Sequence, residues 1–118
     1  MKNIAVLGST GSIGTSTLDV IRKFPGSFRV AALTANSDID SLYKQIKEFK
    51  PQSVCVRDEG KARRLARKVS TATKIYCGDI GLEELVKDKR IDQVMFAISG
   101  AAALRPLISA IERGKDIA

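Results

Sequence analysis

Asn3-Ile4-Ala5-Val6-Leu7-Gly8-Ser9-Thr10-Gly11-Ser12-Ile13-Gly14 decides the fold. An apolar run, Ile4 to Leu7, feeds into three glycines spaced G-x-x-G-x-x-G, and a helical period follows. Strand, glycine turn and helix, in that order at the head of a chain, are the layout of a dinucleotide phosphate site. Each glycine has its own reason. Gly8 permits a tight turn, Gly11 lets backbone approach a pyrophosphate, and Gly14 lets helix and strand pack closely. The amides of Thr10, Gly11, Ser12 and Ile13 fall at a helix N-terminus, where unpaired N–H groups and the helix dipole favour an anion. The commoner spacing is G-x-G-x-x-G, and a glycine triplet elsewhere would read as a plain turn. Its place between an apolar strand and an amphipathic helix carries the reading.

Outward from that turn, strand and helix patterns alternate. Asn3–Leu7 reads as a buried strand. The next helix carries Ile13, Thr17, Val20, Ile21 and Phe24 on one face and ends at Pro25-Gly26. Phe28–Leu33 is a second strand. Asn36, Ser37 and Asp38 are three candidate N-caps for a helix with Ile39, Leu42, Tyr43, Ile46 and Phe49 inward. Pro51 stops it, and Ser53–Arg57 is a third strand. A basic helix follows, with Ala62, Leu65, Ala66 and Val69 on its apolar face. Then come a short strand at Lys74–Cys77 and a weak helical turn between Gly78 and Asp88. Gln93–Ile98 is an apolar strand. Ala102–Arg113 is a helix with Leu104, Leu107, Ile108 and Ile111 inward, tolerating Pro106 only in its first turn, with Gly114 at C′. Strands apolar throughout are buried on both faces. The expected fold is therefore α/β: a doubly wound parallel sheet, Rossmann-like, with Asn3–Leu7 central. Lys115-Asp116-Ile117-Ala118 reads as the opening of another strand, so residues 1–118 are expected to be one dinucleotide-binding domain cut from a longer protein.

Composition narrows the chemistry. At 44% hydrophobic and 28% charged residues the chain is an ordinary globular protein, large enough for a core without staples. It has no histidine, which removes His-based catalysis and His-ligated metal from these residues. Cys55 and Cys77 lie in apolar strand-like runs without metal-ligand spacing and read as buried, reduced thiols of a cytoplasmic protein. No signal peptide or membrane-length apolar run is visible. The net charge of +7 is carried wholly by residues 44–74, with ten Lys/Arg against Glu48, Asp58 and Glu59. A nucleic-acid surface is one reading of that belt. A solvated helix face, with Arg63, Arg64, Arg67 and Lys68 opposite the apolar stripe, is the simpler one.

Leu7-Gly8-Ser9-Thr10-Gly11-Ser12-Ile13-Gly14, with Ser16-Thr17-Leu18-Asp19-Val20-Ile21 behind it, resembles the opening of the 1-deoxy-D-xylulose 5-phosphate reductoisomerases. The similarity continues through Phe28–Leu33, Phe49-Lys50-Pro51, Gly100-Ala101-Ala102 with Leu104 and Pro106, and Gly114-Lys115. The resemblance implies an NADPH-dependent enzyme of isoprenoid biosynthesis. Such an enzyme rearranges 1-deoxyxylulose 5-phosphate and reduces the aldehyde formed to 2-C-methylerythritol 4-phosphate, with a divalent metal (Mg or Mn) polarising substrate oxygens. It implies further that Thr10, Gly11, Ser12 and Ile13 hold the cofactor pyrophosphate, with Gly8 a cofactor-binding residue at the turn, and that Ala97, Ile98 and Gly100 border its ribose and nicotinamide half. Metal ligands and catalytic residues are expected beyond Ala118. The whole protein is expected to be a cytoplasmic homodimer.

One stretch departs from the family, which usually has Gly, then Lys or Arg, then Asn after the second strand. Here stand Asn36-Ser37-Asp38, with no cation for a 2′-phosphate. An NAD-specific fold wants a carboxylate on the ribose about twenty residues after the glycines. That position falls near uncharged Thr34. NADPH remains the expected cofactor, with the Ser37 hydroxyl, the Asn36 amide and the helix amides from residue 38 available to the phosphate. Two alternatives stay open: another Rossmann oxidoreductase or epimerase, such as a semialdehyde dehydrogenase-like protein, and a basic nucleic-acid-binding module.

Overall fold

The computed structural model describes residues 1–118 as eleven alternating elements. In chain order they are β1 (Lys2–Leu7), α1 (Ser12–Arg22), β2 (Phe28–Ala35), α2 (Ile39–Phe49), β3 (Ser53–Val56), α3 (Glu59–Ala66), β4 (Lys74–Cys77), α4 (Gly78–Val86), β5 (Gln93–Phe96), α5 (Ala101–Glu112) and β6 (Asp116–Ile117). The strands form one sheet in the order β4-β3-β2-β1-β5-β6, and every neighbouring pair is parallel. The doubly wound fold stands, with β1 in the interior of the sheet.

Strand alternation sorts the core into two layers. Ile4 and Val6 of β1 join Leu18 and Ile21 of α1, Leu42 and Ile46 of α2 and Leu65 of α3. Ala5 and Leu7 point the other way, onto Leu82, Leu85 and Val86 of α4 and Ala110 of α5. Between β1 and β2 the register slips, so that Ile4 faces Val30 while Ala5 faces Ala32. The extra residue, Ala31, joins Ala32 on the second layer, a β-bulge within the β1–β2 pair.

Two helix faces differ from those the periodicity predicts. On α1 the sheet-facing residues are Gly14, Leu18 and Ile21, whereas Ile13, Val20 and Phe24 are 60%, 53% and 52% exposed. Gly14 sets that rotation, because its missing side chain brings α1 against Gly8 and Ser9. On α5 the inward residues are Pro106, Ser109 and Ala110, leaving Leu104, Ile108 and Ile111 outside. Small residues allow close approach to sheet and neighbouring helix there, and the large apolar stripe turns away. Pro106 lies in the second turn of α5, one turn later than expected, without ending the helix. Smaller corrections are a longer β2, a β5 that stops at Phe96 and an α4 that is a full nine-residue helix. Ala66 is exposed, and Cys77 is exposed while Cys55 is fully buried. No helix is long and apolar enough to cross a membrane.

Candidate functional site

The sheet's carboxyl edge gathers the ends of β2, β1 and β5, with β1 where the crossovers change face. This switch point is where open α/β sheets bind ligands. At its centre Gly8 adopts φ +80°, a left-handed conformation. A Cβ there would lie 2.7 Å from the Ala97 carbonyl oxygen and from Ile98 Cγ2. Gly8 thus meets the first requirement of the turn and brings Ala97 and Ile98 against it. A Cβ on Gly14 would meet Gly8 O at 2.1 Å, so the third glycine is a packing requirement. Gly11 differs from both. Its φ is −84°, open to any residue, and nothing but Gly8 O lies within 4 Å of a Cβ built there, at 3.7 Å. The protein itself does not need a glycine at 11; the space in front of it does.

That space faces an uncapped helix. The N-cap of α1 is Gly11, with no side-chain cap and no acid in the first turn. Thr15 N is the first amide to find the cap, donating to Gly11 O at 2.9 Å. Ser12 and Ile13 are exposed and their amides have no backbone acceptor. By contrast α2 and α3 are capped by Asp38 and Asp58, with Asp40 and Glu59 in their first turns. Only α1 of these three is built to receive an anion from outside.

The flanking loops take shape around this turn. Thr34, where a ribose carboxylate would stand in an NAD-specific fold, is 3% exposed. Its hydroxyl accepts from Gly8 N at 2.9 Å and its carbonyl from Ser9 N at 2.8 Å, so it serves the turn and not the ribose. The exposed residues next along the chain at this edge are Asn36, Ser37 and Asp38. Asp38 is the true cap among the three candidates. Its carboxylate accepts from Ser41 N at 3.1 Å, a bond that holds it below the usual carboxylate range. Across the edge, Asp58 N donates to Asn36 O and Arg57 N to Ala35 O, so Arg57 flanks the loop from β3. Its guanidinium pairs with Asp79 at 2.8 Å. Gly100, with φ +74°, caps α5 and has open space at its Cβ position. The edge thus brings the glycine turn together with Ala97 and Ile98, with Asn36–Asp38 and Gly100 on the adjoining loops.

The basic segment lies largely elsewhere. Lys47 is in the last turn of α2, Lys50 caps that helix, and Arg63 and Arg64 are in the last turn of α3. Cations at helix C-termini complement the dipole's negative end. Arg29, Lys47, Lys50 and Lys68 line a groove of about 600 Å³ beside Tyr43, whose ring takes Lys47 Nζ at 4.6 Å. Burial pushes the Cys55 thiol up to about 12, the value of an inert group. No three Cys, Asp or Glu side chains come together as a metal site.

Fold and edge together define a Rossmann-like α/β domain with an anion-ready glycine turn. The family profile of 1-deoxy-D-xylulose 5-phosphate reductoisomerase matches residues 4–118, and the chain belongs to that family. It is 48% identical to the 1-deoxy-D-xylulose 5-phosphate reductoisomerase of Thermoanaerobacter pseudethanolicus and 49% to that of Chlorobaculum tepidum, covering all of this chain and 31% of each relative. Among solved structures it is similar to a DOX-P reductoisomerase in complex with NADPH, fosmidomycin and magnesium, with TM-score 0.93 and 41% identity over 99% of this chain and 29% of the other. It is also similar to the Zymomonas mobilis enzyme in complex with NADPH, with TM-score 0.91 and 32% identity over 99% and 31%. The chain spans about a third of the length of the relatives it matches.

Proposed function

We propose that residues 1–118 form the NADPH-binding domain of an enzyme that converts 1-deoxy-D-xylulose 5-phosphate to 2-C-methyl-D-erythritol 4-phosphate. One observation carries the reading: the open Cβ position at Gly11 in front of the uncapped N-terminus of α1. A pyrophosphate fits that cradle, since it needs close backbone approach and donors without partners. Thr10, Gly11, Ser12 and Ile13 would hold it, with Gly8 shaping the turn and Ala97, Ile98 and Gly100 bordering the nicotinamide half. Asn36 and Ser37 would take the 2′-phosphate, since the Ile39 and Ser41 amides that open α2 are already engaged by Ser37 O and Asp38. When bound, the cofactor supplies hydride to the aldehyde formed by rearrangement. This chain's residues bind and orient it. The divalent metal's ligands are read, on the family, as lying outside these residues. The whole enzyme is read, on its family, as a cytoplasmic homodimer acting on a sugar phosphate.

Titration with NADPH and NADH tests the reading. NADPH should bind more tightly, by a smaller margin than in relatives with Lys or Arg at position 37. Absence of binding by either nucleotide would contradict it.

A further inference from the structure

Gln45 is the one polar side chain on the buried face of α2, 8% exposed among Ile39, Leu42 and Ile46. Burying an amide there is unfavourable unless it is bonded. Both of its polar atoms go to one residue, thirty-six positions earlier. Gln45 Nε2 donates to Ser9 O at 2.9 Å, and Ser9 Oγ donates to Gln45 Oε1 at 2.7 Å. Ser9 is 0% exposed, and its own amide is taken by Thr34 O. Every polar group of Ser9 is therefore engaged inside the protein, between the left-handed Gly8 and the open Gly11. None faces the ligand side.

We infer that Gln45 is a positioning residue for the phosphate-binding turn. It clamps Ser9 from α2, so that the turn is held in place, with Gly11 N on Gly8 O and the amides of Thr10, Ser12 and Ile13 without a partner, before any ligand arrives. It touches no nucleotide and acts through Ser9. Pre-forming donors in this way raises affinity by removing the ordering that binding would otherwise require. The effect belongs to ligands that carry a pyrophosphate. A ligand that lacks one should not sense it. The inference rests on the proposed cofactor reading and deepens it at the same turn.

The test compares NADP+, which carries the pyrophosphate, with adenosine 2′-monophosphate, which does not, by calorimetry on wild type and variants whose folding is checked by circular dichroism. Gln45→Met keeps volume and removes both bonds. It should weaken NADP+ about tenfold, the scale of one to two lost hydrogen bonds, and change the monophosphate less than twofold. Gln45→Glu accepts from Ser9 Oγ, but donates to Ser9 O only when protonated. Its NADP+ affinity relative to wild type should be poorer at pH 8 than at pH 5.5, a profile that loss of packing would not produce. Should Gln45→Met not fold, Gln45→Glu and Ser9→Ala, which opens the clamp from the other side, carry the comparison. Folded variants with wild-type NADP+ affinity would overturn the inference, as would equal weakening of both ligands. A wild-type protein that binds no dinucleotide would overturn the cofactor reading and this inference with it.

Discussion

Three glycines in seven residues turn out to do three different things, and single substitutions separate them. Gly14→Ala should strike stability, because its Cβ would overlap Gly8 O at 2.1 Å and neither backbone can yield without moving α1 off the sheet. Thermal unfolding checks it, and an unchanged midpoint would refute the packing role. Gly11→Val should do the reverse. Position 11 has an ordinary φ of −84° and room for a side chain, so the fold should survive while NADPH binding is lost. The left-handed conformation falls on Gly8 alone of the three, which makes Gly11→Val a clean probe of the ligand. The two cysteines divide in the same way. At pH 8 a thiol reagent should label exposed Cys77 and spare Cys55. Because the folded Cys55 thiol is raised to about 12 and an unfolded one ionises near about 8.5, the folded state holds the proton longer. That contribution is whole below about pH 8.5 and is lost as pH rises toward 12, by up to ~1.4 kcal/mol per pH unit. Urea melts of wild type and Cys55→Ala should therefore converge across that range, and parallel pH profiles would contradict the burial argument.

Elements were legible where one pattern determined them, and misread where two competed. The apolar strands and the Pro, Gly and Asp punctuation placed nearly every element, because burial on both faces leaves no polar alternation to confuse. Helix rotation was harder. On α1 and α5 the larger apolar residues traced a convincing inward stripe, yet Gly14, Pro106 and Ala110 took the sheet-facing places. Close approach between backbones selects small residues, a tertiary demand that hydrophobic periodicity does not encode. The clamp at Ser9 was invisible for a related reason: a lone Gln on a helix and a Ser in a turn have meaning only once folding brings them within 2.7 Å. The loop before α2 shows what sequence could narrow but not finish. Asn36, Ser37 and Asp38 were equal candidates for the cap, and Asp38 takes it. Replacing Asp38 with Ala should cost about 1 kcal/mol in denaturant melts. Its carboxylate is engaged by Ser41 N, so the cap leaves Asn36 and Ser37 as the loop's open positions. Ser37→Arg should then strengthen NADPH binding about tenfold and leave NADH nearly unchanged. Equal gains for both nucleotides would remove the loop from 2′-phosphate recognition.

Seen as a whole, the molecule is polarised along its strands. Parallel strands joined by right-handed crossovers send helix N-termini to the carboxyl edge, and helix C-termini to the other. Acids cap α2 and α3 at the first edge and cations close them toward the second, whereas α1, which starts at the glycine turn, has neither a side-chain cap nor an acid in its first turn. The placement of Lys47, Lys50, Arg63 and Arg64 is one consequence of that polarity, and the proposed nucleotide site would be another. The glycine turn and, at the opposite edge, the groove of Lys47, Lys50 and Lys68 both offer donors to an anion. Amide chemical shifts recorded while NADPH is added to the 15N-labelled protein distinguish them directly. The account predicts that Thr10, Gly11, Ser12 and Ile13 move most, with smaller shifts at Ser37 and Ile98 and none around Lys47 and Lys68. Shifts confined to the lysine groove, with the glycine turn silent, would contradict it.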